Sequence, residues 1–249
     1  MRVSTERVGR VLLMRMERAA KRNAIDAEMT AALDSALNDL DDDPDLWAGV
    51  LAGTAVAFSA GTDLVSGAGA PTERGGNYGV VRRDRRTPLI AAVEGMAYGG
   101  GFELVLACDL VVASRLAQFA LPETALGLVA NCGALFRAPR ALPRNVAHEM
   151  LLTGEPLDAE RAWSLGLVNR LVEPGAAEAA ALELAGKVCA RAPLAQTATL
   201  RAVAAAVSAE DERGWAATER AWTTIESSAD AAEGKAAFTE KRTPRWSGA

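Results

Sequence analysis

Ala92-Val-Glu-Gly-Met-Ala-Tyr-Gly-Gly-Gly-Phe-Glu103 is the stretch of this sequence that says most about the fold. Apolar residues 88–93 predict a buried strand, and the apolar run up to Ala107 predicts a short helix. Glycines between a strand and a helix let backbone N–H groups approach a ligand without a Cβ in the way. The N-terminus of the helix adds partial positive charge. The stretch therefore predicts a site for a negative oxygen, either a phosphate or a developing oxyanion, with a tight packing turn as the alternative.

The segments on either side predict an α/β chain that becomes helical. Residues 8–16 and 46–52 are typical of strands, and residues 26–40 between them have apolar positions at helical spacing behind the N-cap candidate Asp26. A strand–helix–strand order is typical of a parallel sheet. A further strand is predicted at 109–113, and the later helices are predicted at 146–152, 158–165, 176–190, 194–207 and 209–227.

Two polar segments have compositions typical of surface structure. Six residues of the 65–88 segment are Gly or Pro before Arg82 begins a cluster of arginines, which predicts a mobile loop. That cluster could bind phosphates, although a solvated loop is the favoured interpretation. The acidic run at 39–45 lacks the Gly and the terminal Glu of a calcium loop, and it predicts a solvated turn.

Composition excludes several classes of function. The 249 residues suit one or two domains, and the net charge of −5 argues against non-specific nucleic-acid binding. Three scattered cysteines argue against a disulfide scaffold and a thiolate zinc site, and a single histidine excludes a multi-histidine metal site. No signal peptide or membrane span is predicted, so a cytoplasmic protein is expected.

Few residues qualify as catalytic groups. Glu103 follows the glycine turn, and Glu123 follows a proline that can open a helix. Either carboxylate could simply favour a helix N-terminus, but two carboxyls in one cleft could share acid and base duties. Ser59, Cys132 and His148 are disfavoured as nucleophile or base, because none has an evident activating partner in sequence.

Six motifs in order resemble the crotonase family of enoyl-CoA hydratases and isomerases. These are Lys21-Arg-Asn-Ala24, Ala57-Phe-Ser-Ala-Gly-Thr-Asp-Leu64, the stretch 92–103, Ala117-Gln-Phe-Ala-Leu-Pro-Glu123, the pair Leu152-Thr-Gly-Glu-Pro-Leu157 and Ala162-Trp-Ser-Leu-Gly-Leu-Val168, and the tail Glu233-Gly-Lys-Ala-Ala-Phe-Thr-Glu-Lys-Arg242. The resemblance covers nearly the whole chain. It implies a crotonase-type spiral of ββα turns in residues 1–190, and a helical trimerisation region in residues 191–249. The expected assembly is a homotrimer or a hexamer of paired trimers.

The resemblance also implies a chemistry. The substrate is expected to be an acyl-CoA thioester, no metal or redox cofactor is required, and coenzyme A enters as part of the substrate. The backbone N–H groups of Thr62 and Gly100 are expected to form the oxyanion hole, with Glu103 and Glu123 as the catalytic pair that adds water to an enoyl-CoA. The residues expected to contact substrate or coenzyme A are Lys21, Arg22, Ala24, Ala60, Thr62, Asp63, Leu64, Gly100, Asn131, Phe238 and Lys241, with the last two in the tail motif that often reaches a neighbouring subunit's ligand.

One segment departs from the family pattern. Where many hydratases have Pro and then Gly, this chain has Ala130 and Asn131. At the position of the last glycine in the family pattern, it has Ala134. Asn131 could bond a polar substrate group or displace the water. Two alternatives therefore stay open beside hydration. A double-bond isomerase, or another crotonase-type acyl-CoA enzyme, would tolerate Glu103→Gln but not Glu123→Gln, whereas a non-catalytic acyl-CoA-binding protein would bind without turnover.

Overall fold

A computed structural model describes residues 2–248 of the chain. Its strands lie at Val3–Val8 (β1), Val11–Met16 (β2), Ala48–Ala52 (β3), Ala57–Ser59 (β4), Leu89–Val93 (β5), Met96–Tyr98 (β6), Leu110–Ser114 (β7), Gln118–Ala120 (β8), Leu157–Asp158 (β9) and Arg170–Val172 (β10). Its α-helices are Ala27–Asp42 (α1), Gly100–Leu106 (α2), Ala134–Ala141 (α3), Arg144–Thr153 (α4), Ala159–Ser164 (α5), Ala177–Cys189 (α6), Pro193–Ile225 (α7) and Ala229–Glu240 (α8). Three 3-10 turns lie at Ala19–Lys21, Asn77–Gly79 and Pro122–Leu126.

The strands form two mixed sheets. One sheet has six strands in the order β1-β2-β3-β5-β7-β10, and the other has four in the order β4-β6-β8-β9. Each of the pairs β3/β4, β5/β6 and β7/β8 gives one strand to each sheet, so the chain advances as a spiral whose successive turns stack in parallel. The β1/β2 and β8/β9 pairs are antiparallel.

Both faces of the larger sheet are covered, as is typical of parallel strands. Every residue of β3 and β5 is buried. One face carries Leu13, Val50, Ile90 and Val112, which pack with α6 through Ala181 and neighbouring residues. The opposite face packs into the main core with α1, α2 and α3. The predicted strand–helix–strand unit is confirmed, because β2 and β3 pair in parallel around α1 and the Asp26 side chain accepts the Met29 N–H.

The structure corrects three sequence-based boundaries. Residues 8–16 are not one strand, because a turn at Gly9, whose φ is +60°, joins β1 to β2. The helices predicted at 194–207 and 209–227 are one helix, α7, in which the Ser208 hydroxyl donates to the Ala205 carbonyl and does not interrupt the backbone. Helix α3 was not predicted, since Pro139 inside it is typical of a helix break.

The 65–88 segment has fixed contacts, contrary to the expectation of a mobile loop. The side chain of Arg83 is only 1% exposed, and its guanidinium contacts Asp34 at 2.6 Å and Asp41 at 3.0 Å on α1. The Thr72 hydroxyl also donates to Asp34, at 2.7 Å. Within residues 2–248, no helix has the length and apolar character needed to cross a membrane.

Candidate active site

A cavity of about 690 Å³ lies where the two sheets, the glycine turn and the C-terminal helices converge. It contains all of the catalytic residues expected from the sequence, namely Thr62, Gly100, Glu103 and Glu123. Trp222 of α7 and Phe238 of α8 also line it. The cavity therefore draws on segments far apart in sequence, and the spiral brings them together.

The backbone N–H groups of Thr62 and Gly100 both lie at the cavity, and neither has an acceptor among residues 2–248. Their segments pack very closely, because a Cβ on Gly61 would lie 3.0 Å from the Gly100 nitrogen and 2.7 Å from the Tyr98 carbonyl oxygen. Gly61 also has a φ of +89°, so glycine is required there on both counts. Two free donors on adjacent segments can receive an oxygen that gains negative charge.

Glu103 is the buried carboxylate at the base of the cavity, 1% exposed in the first turn of α2. Its Oε1 accepts the backbone N–H of Cys132 at 2.7 Å and that of Ala134 at 3.0 Å. Ala134 is the first residue of α3, so Glu103 bonds to the N-terminal end of that helix. The departure segment 130–134 thus holds Glu103 through its backbone, which does not depend on the side chains that differ from the family pattern.

Glu123 lies in the 3-10 turn Pro122–Leu126 and has a different environment. A Cβ on Gly99 would lie 3.1 Å from Glu123 Oε1, which places this oxygen over the glycine turn. Glu123 Oε2 is buried and has no hydrogen-bond partner among residues 2–248. A buried carboxyl oxygen without a partner is costly, and it is typical of a group kept for a ligand.

The surroundings of the two carboxyls have different effects on their pKa values. Burial raises the pKa of both above the ordinary glutamate range. The two N–H donors oppose this rise in the pKa of Glu103, whereas the negative charge of Glu103 raises the pKa of Glu123 further. The two donors therefore favour the charged form more strongly at Glu103 than at Glu123.

Tyr78 is a cavity residue that the sequence did not single out. Its side chain is buried, and its hydroxyl lies 2.8 Å from the Thr62 hydroxyl. Burial raises the pKa of the phenol well above its ordinary value, so it stays protonated. The motifs gave no sign of this residue, because it lies in the glycine-rich segment 65–88, outside all six of them. Trp222, Leu126 and Val129 were missed for a similar reason, since ordinary apolar residues carry no motif.

Asn23 anchors the segment 20–24, whose other four residues line the cavity. Its side chain is fully buried and donates to the carbonyls of Ala57 and Phe58 at 3.0 and 3.1 Å. Arg22 and Asn23 both have left-handed backbone conformations, with φ of +51° and +54°. Lys21 and Arg22 are exposed beside the opening and form no ion pair with the described residues. These two cations are therefore free to meet an anionic ligand.

The other predicted contact residues fall into two groups. Ala24, Ala60, Asp63, Leu64, Asn131 and Phe238 line the cavity, and Phe238 does so in its own chain. The carboxylate of Asp63 is already bonded to Arg18 at 2.7 Å, which holds its pKa at about 2. Lys241 ends α8 and is not among the lining residues, so its contact with a neighbouring subunit's ligand stays a prediction.

The residues disfavoured as nucleophiles have structural roles or lie elsewhere. The Ser59 hydroxyl donates to the Asn23 carbonyl at 2.8 Å and accepts the Gly61 N–H at 3.1 Å. Burial raises the pKa of the Cys132 thiol, and His148 is exposed on α4. Residues 2–248 bring together no cluster of three or more His, Cys, Asp or Glu side chains that could hold a metal ion.

Comparisons with known proteins agree on the family. A family model described as enoyl-CoA hydratase/isomerase matches residues 6–249. A carnitinyl-CoA dehydratase of Citrobacter koseri is 39% identical over 253 residues and 97% of each chain is covered. Two solved structures each align over 100% of this chain and 99% of their own. A carnitinyl-CoA dehydratase from Mycobacterium avium 104 has a TM-score of 0.94 at 40% identity, and an enoyl-CoA hydratase from Mycobacterium tuberculosis H37Rv has 0.80 at 41%.

These similarities extend over the whole length of the chain and include both sheets and the C-terminal helices. They confirm the α/β spiral fold that the six motifs predicted. The chain therefore belongs to the enoyl-CoA hydratase/isomerase family, the crotonases.

Proposed function

We propose that this protein adds water across the 2,3 double bond of an enoyl-CoA thioester, or removes it from the corresponding 3-hydroxyacyl-CoA. The observation that supports this most strongly is the presence of the buried Glu103 and the half-buried Glu123 in one cavity beside two free backbone N–H groups. Hydro-lyase activity is also what the names of the similar proteins describe.

In the proposed reaction the thioester carbonyl oxygen accepts the N–H groups of Thr62 and Gly100. Negative charge develops on this oxygen as a nucleophile attacks C3. The loss of one such donor typically costs about 3–4 kcal/mol of transition-state stabilisation. The donors therefore make the conjugated double bond electrophilic without help from a metal or redox group.

Glu103 is proposed as the base and Glu123 as the acid. Glu103 takes a proton from water as the water oxygen bonds to C3, and the π electrons move to the thioester oxygen. Glu123 then gives its proton to C2 as the carbonyl is restored. One proton is taken and one is given, so the net change is the addition of H and OH. After the reaction Glu103 carries a proton and Glu123 is ionised, so proton exchange with solvent restores the starting state of both carboxyls. The environments of the two carboxyls support this division of roles.

Lys21 and Arg22 are proposed to bind the phosphates of coenzyme A. Both are exposed at the cavity opening, and neither is engaged by a described carboxylate. Cationic side chains bind phosphate oxygens through charge-assisted hydrogen bonds. The acyl group would then extend inwards past Ala60 and Leu64 to the glutamates.

The inner wall of the cavity favours an acyl group that carries a polar substituent. The hydroxyls of Tyr78 and Thr62 and the amide of Asn131 line it, beside the ring of Trp222. Several of the similar proteins are named carnitinyl-CoA dehydratases, whose named substrate carries such a group. A hydroxylated or branched acyl-CoA is therefore proposed as a rival to the plain short-chain substrate.

Self-association through the C-terminal region is part of the proposal. Helix α7 is 33 residues long, and Thr218 is the only one of its residues that is buried in a single chain. Leu194 and Val203 on α7 are 84% and 61% exposed. Exposed apolar residues on a long helix favour an interface between copies, and a homotrimer is expected from the family. Light scattering coupled to size-exclusion chromatography tests this, and a monomer at micromolar concentration would contradict it.

The proposed activity is tested by incubating the protein with crotonyl-CoA and following the conjugated enoyl-thioester absorbance. Loss of that absorbance, with 3-hydroxybutyryl-CoA as the product, is the expected result. A matched incubation uses a 3-enoyl-CoA, whose conversion to the 2-enoyl isomer raises the same absorbance. Isomerisation without hydration would show an isomerase. Binding of both thioesters by calorimetry without turnover would show a non-catalytic acyl-CoA-binding protein.

A further inference from the structure

Tyr78 has an unusual backbone conformation for a large side chain. Its φ and ψ are +59° and +6°, in the left-handed region that residues with a Cβ rarely adopt. Glycines at 76 and 79, both with positive φ, flank the short turn in which it lies. Strained residues of this kind persist only where the surroundings enforce them, and they cluster at functional sites.

The surroundings of Tyr78 do enforce this conformation. Arg83 on the same segment is bound by Asp34 and Asp41, and its Nη1 also donates to Asn38 Oδ1 at 2.8 Å. A Cβ on Gly79 would lie 2.7 Å from the Asp34 nitrogen, so the turn is pressed against α1. The loop thus directs the Tyr78 ring inwards from a rigid support.

The phenol of Tyr78 touches both residues of the proposed oxyanion hole. Its hydroxyl shares a hydrogen bond of 2.8 Å with the Thr62 hydroxyl, in which either oxygen can donate. Its ring lies directly on Gly100, because a Cβ there would lie 2.5 Å from Tyr78 Oη and 2.7 Å from Tyr78 Cζ. One side chain therefore contacts Thr62 by a hydrogen bond and Gly100 by packing.

We propose that Tyr78 is the positioning residue that sets the distance and direction of the two oxyanion N–H donors. This inference rests on the proposed function, since it assumes that Thr62 and Gly100 receive the thioester oxygen. The Tyr78 hydroxyl fixes the Thr62 side chain and thereby the peptide that carries the Thr62 N–H. The Tyr78 ring limits how far the Gly100 peptide can move. Tyr78 acts through these two residues and not by contact with the reacting carbons.

The effect of Tyr78 on the bound thioester should be largest in the transition state. Oxyanion donors matter most where charge develops, and small errors in their placement lower the rate strongly. Tyr78→Phe keeps the ring on Gly100 but removes the hydrogen bond to Thr62. We expect kcat for hydration to fall about tenfold, while KM rises by no more than the smaller factor by which the variant loses its preference for the thioester. If kcat falls only together with a lower melting temperature, Tyr78 has a purely structural role and the proposal is wrong.

The binding test compares two ligands that differ only at the carbonyl. Butyryl-CoA has the thioester oxygen, whereas the S-butyl thioether of coenzyme A lacks it. Calorimetry should show that the wild-type protein prefers the thioester and that Tyr78→Phe moves the ratio of the two dissociation constants towards one. Tyr98→Phe is the matched control, because its hydroxyl bonds Gln118 Oε1 at 2.8 Å and not Thr62. The Tyr98 variant should keep the wild-type ratio.

A double variant tests whether Tyr78 acts through Thr62. Thr62→Val removes the same hydrogen bond from the other side and keeps the Thr62 backbone N–H. If the pair acts as a unit, Tyr78→Phe with Thr62→Val should lower kcat no further than either change alone. Fully multiplicative losses would overturn the proposed route through Thr62.

The outcomes separate this inference from the proposed activity. A wild-type protein that does not hydrate crotonyl-CoA, yet prefers the thioester and loses that preference in Tyr78→Phe, would contradict the hydratase assignment and support the role of Tyr78. A wild-type protein that hydrates, together with a Tyr78→Phe variant that keeps both kcat and the ligand ratio, would overturn the role of Tyr78 alone. A wild-type protein without thioester preference would also overturn it.

Discussion

Glu103 and Glu123 line one cavity, but the protein satisfies only the first of them. Glu103 Oε1 accepts two backbone N–H groups, whereas Glu123 Oε2 is buried without a partner among the described residues. The two carboxyls therefore have different hydrogen-bonding surroundings in the same cavity. Glu103 is prepared to carry negative charge, and Glu123 is prepared to keep a proton.

This asymmetry predicts a bell-shaped dependence of kcat/KM on pH. The rate should rise as Glu103 loses its proton, because the base must be a carboxylate, and fall as Glu123 loses its proton. Burial raises the pKa of both groups, so both limbs should lie above the ordinary glutamate value of about 4.3. The two apparent values belong to the pair. An acid limb near pH 4 would contradict the burial argument.

The same carboxyl predicts an effect on stability. The pKa of Glu123 is higher in the folded than in the unfolded chain, so the folded state binds more protons between those values. Stability therefore falls as pH rises through this window. Glu123→Gln should raise the melting temperature relative to the wild type, and by more at pH 8 than at pH 5. Glu155→Gln, at an exposed position, is the control for the loss of a charge. The prediction would be contradicted if the difference in melting temperature between Glu123→Gln and the wild type did not change with pH.

Gly100 should not tolerate a side chain. The Cβ in Gly100→Ala would lie 2.5 Å from Tyr78 Oη, so the Tyr78 ring or the Gly100 peptide must move. We expect kcat to fall at least about 100-fold, comparable to the loss of one oxyanion donor. Gly186→Ala in α6 is the control, since its Cβ meets nothing within 4 Å, and it should stabilise the protein by about 0.5–1 kcal/mol. Steady-state kinetics with thermal melting separates the two results. A fully active Gly100→Ala would show that the peptide tolerates displacement.

Arg83 should stabilise both the fold and the loop that holds Tyr78. Arg83→Met leaves Asp41, only 5% exposed, without its 3.0 Å partner. Removing one member of a buried ion pair typically costs about 3–5 kcal/mol, which urea unfolding would measure. Arg161→Met is the control, because Arg161 is 50% exposed in its ion pair with Glu149 and a much smaller loss is expected. Equal losses for the two variants would contradict the importance of burial.

The parts of the site that could be predicted depend on short sequence patterns. Glycines at a strand–helix junction and a Pro-Glu pair have recognisable patterns, and the structure brings Gly100, Glu103 and Glu123 into one cavity. The N-cap of α1 and the parallel pairing of β2 with β3 follow from periodicity and capping. Such features depend on residues close together in sequence.

The parts that were missed depend on tertiary contacts. The role of Tyr78 requires a left-handed backbone and the Arg83 ion pairs with α1, neither of which composition reveals. The glycine-rich segment was expected to be mobile because the acids that hold Arg83 lie more than 40 residues away from it in sequence. The bonds from residues 132 and 134 to Glu103 are made by backbone groups, which carry no side-chain signature.

The most direct test of the account measures hydration of crotonyl-CoA by the wild type beside Glu103→Gln and Glu123→Gln. Glutamine keeps the shape of each side chain but can serve neither as base nor as acid. We predict that each variant loses at least about 100-fold in kcat. The absorbance assay would contradict the two-glutamate mechanism if Glu103→Gln kept the wild-type rate.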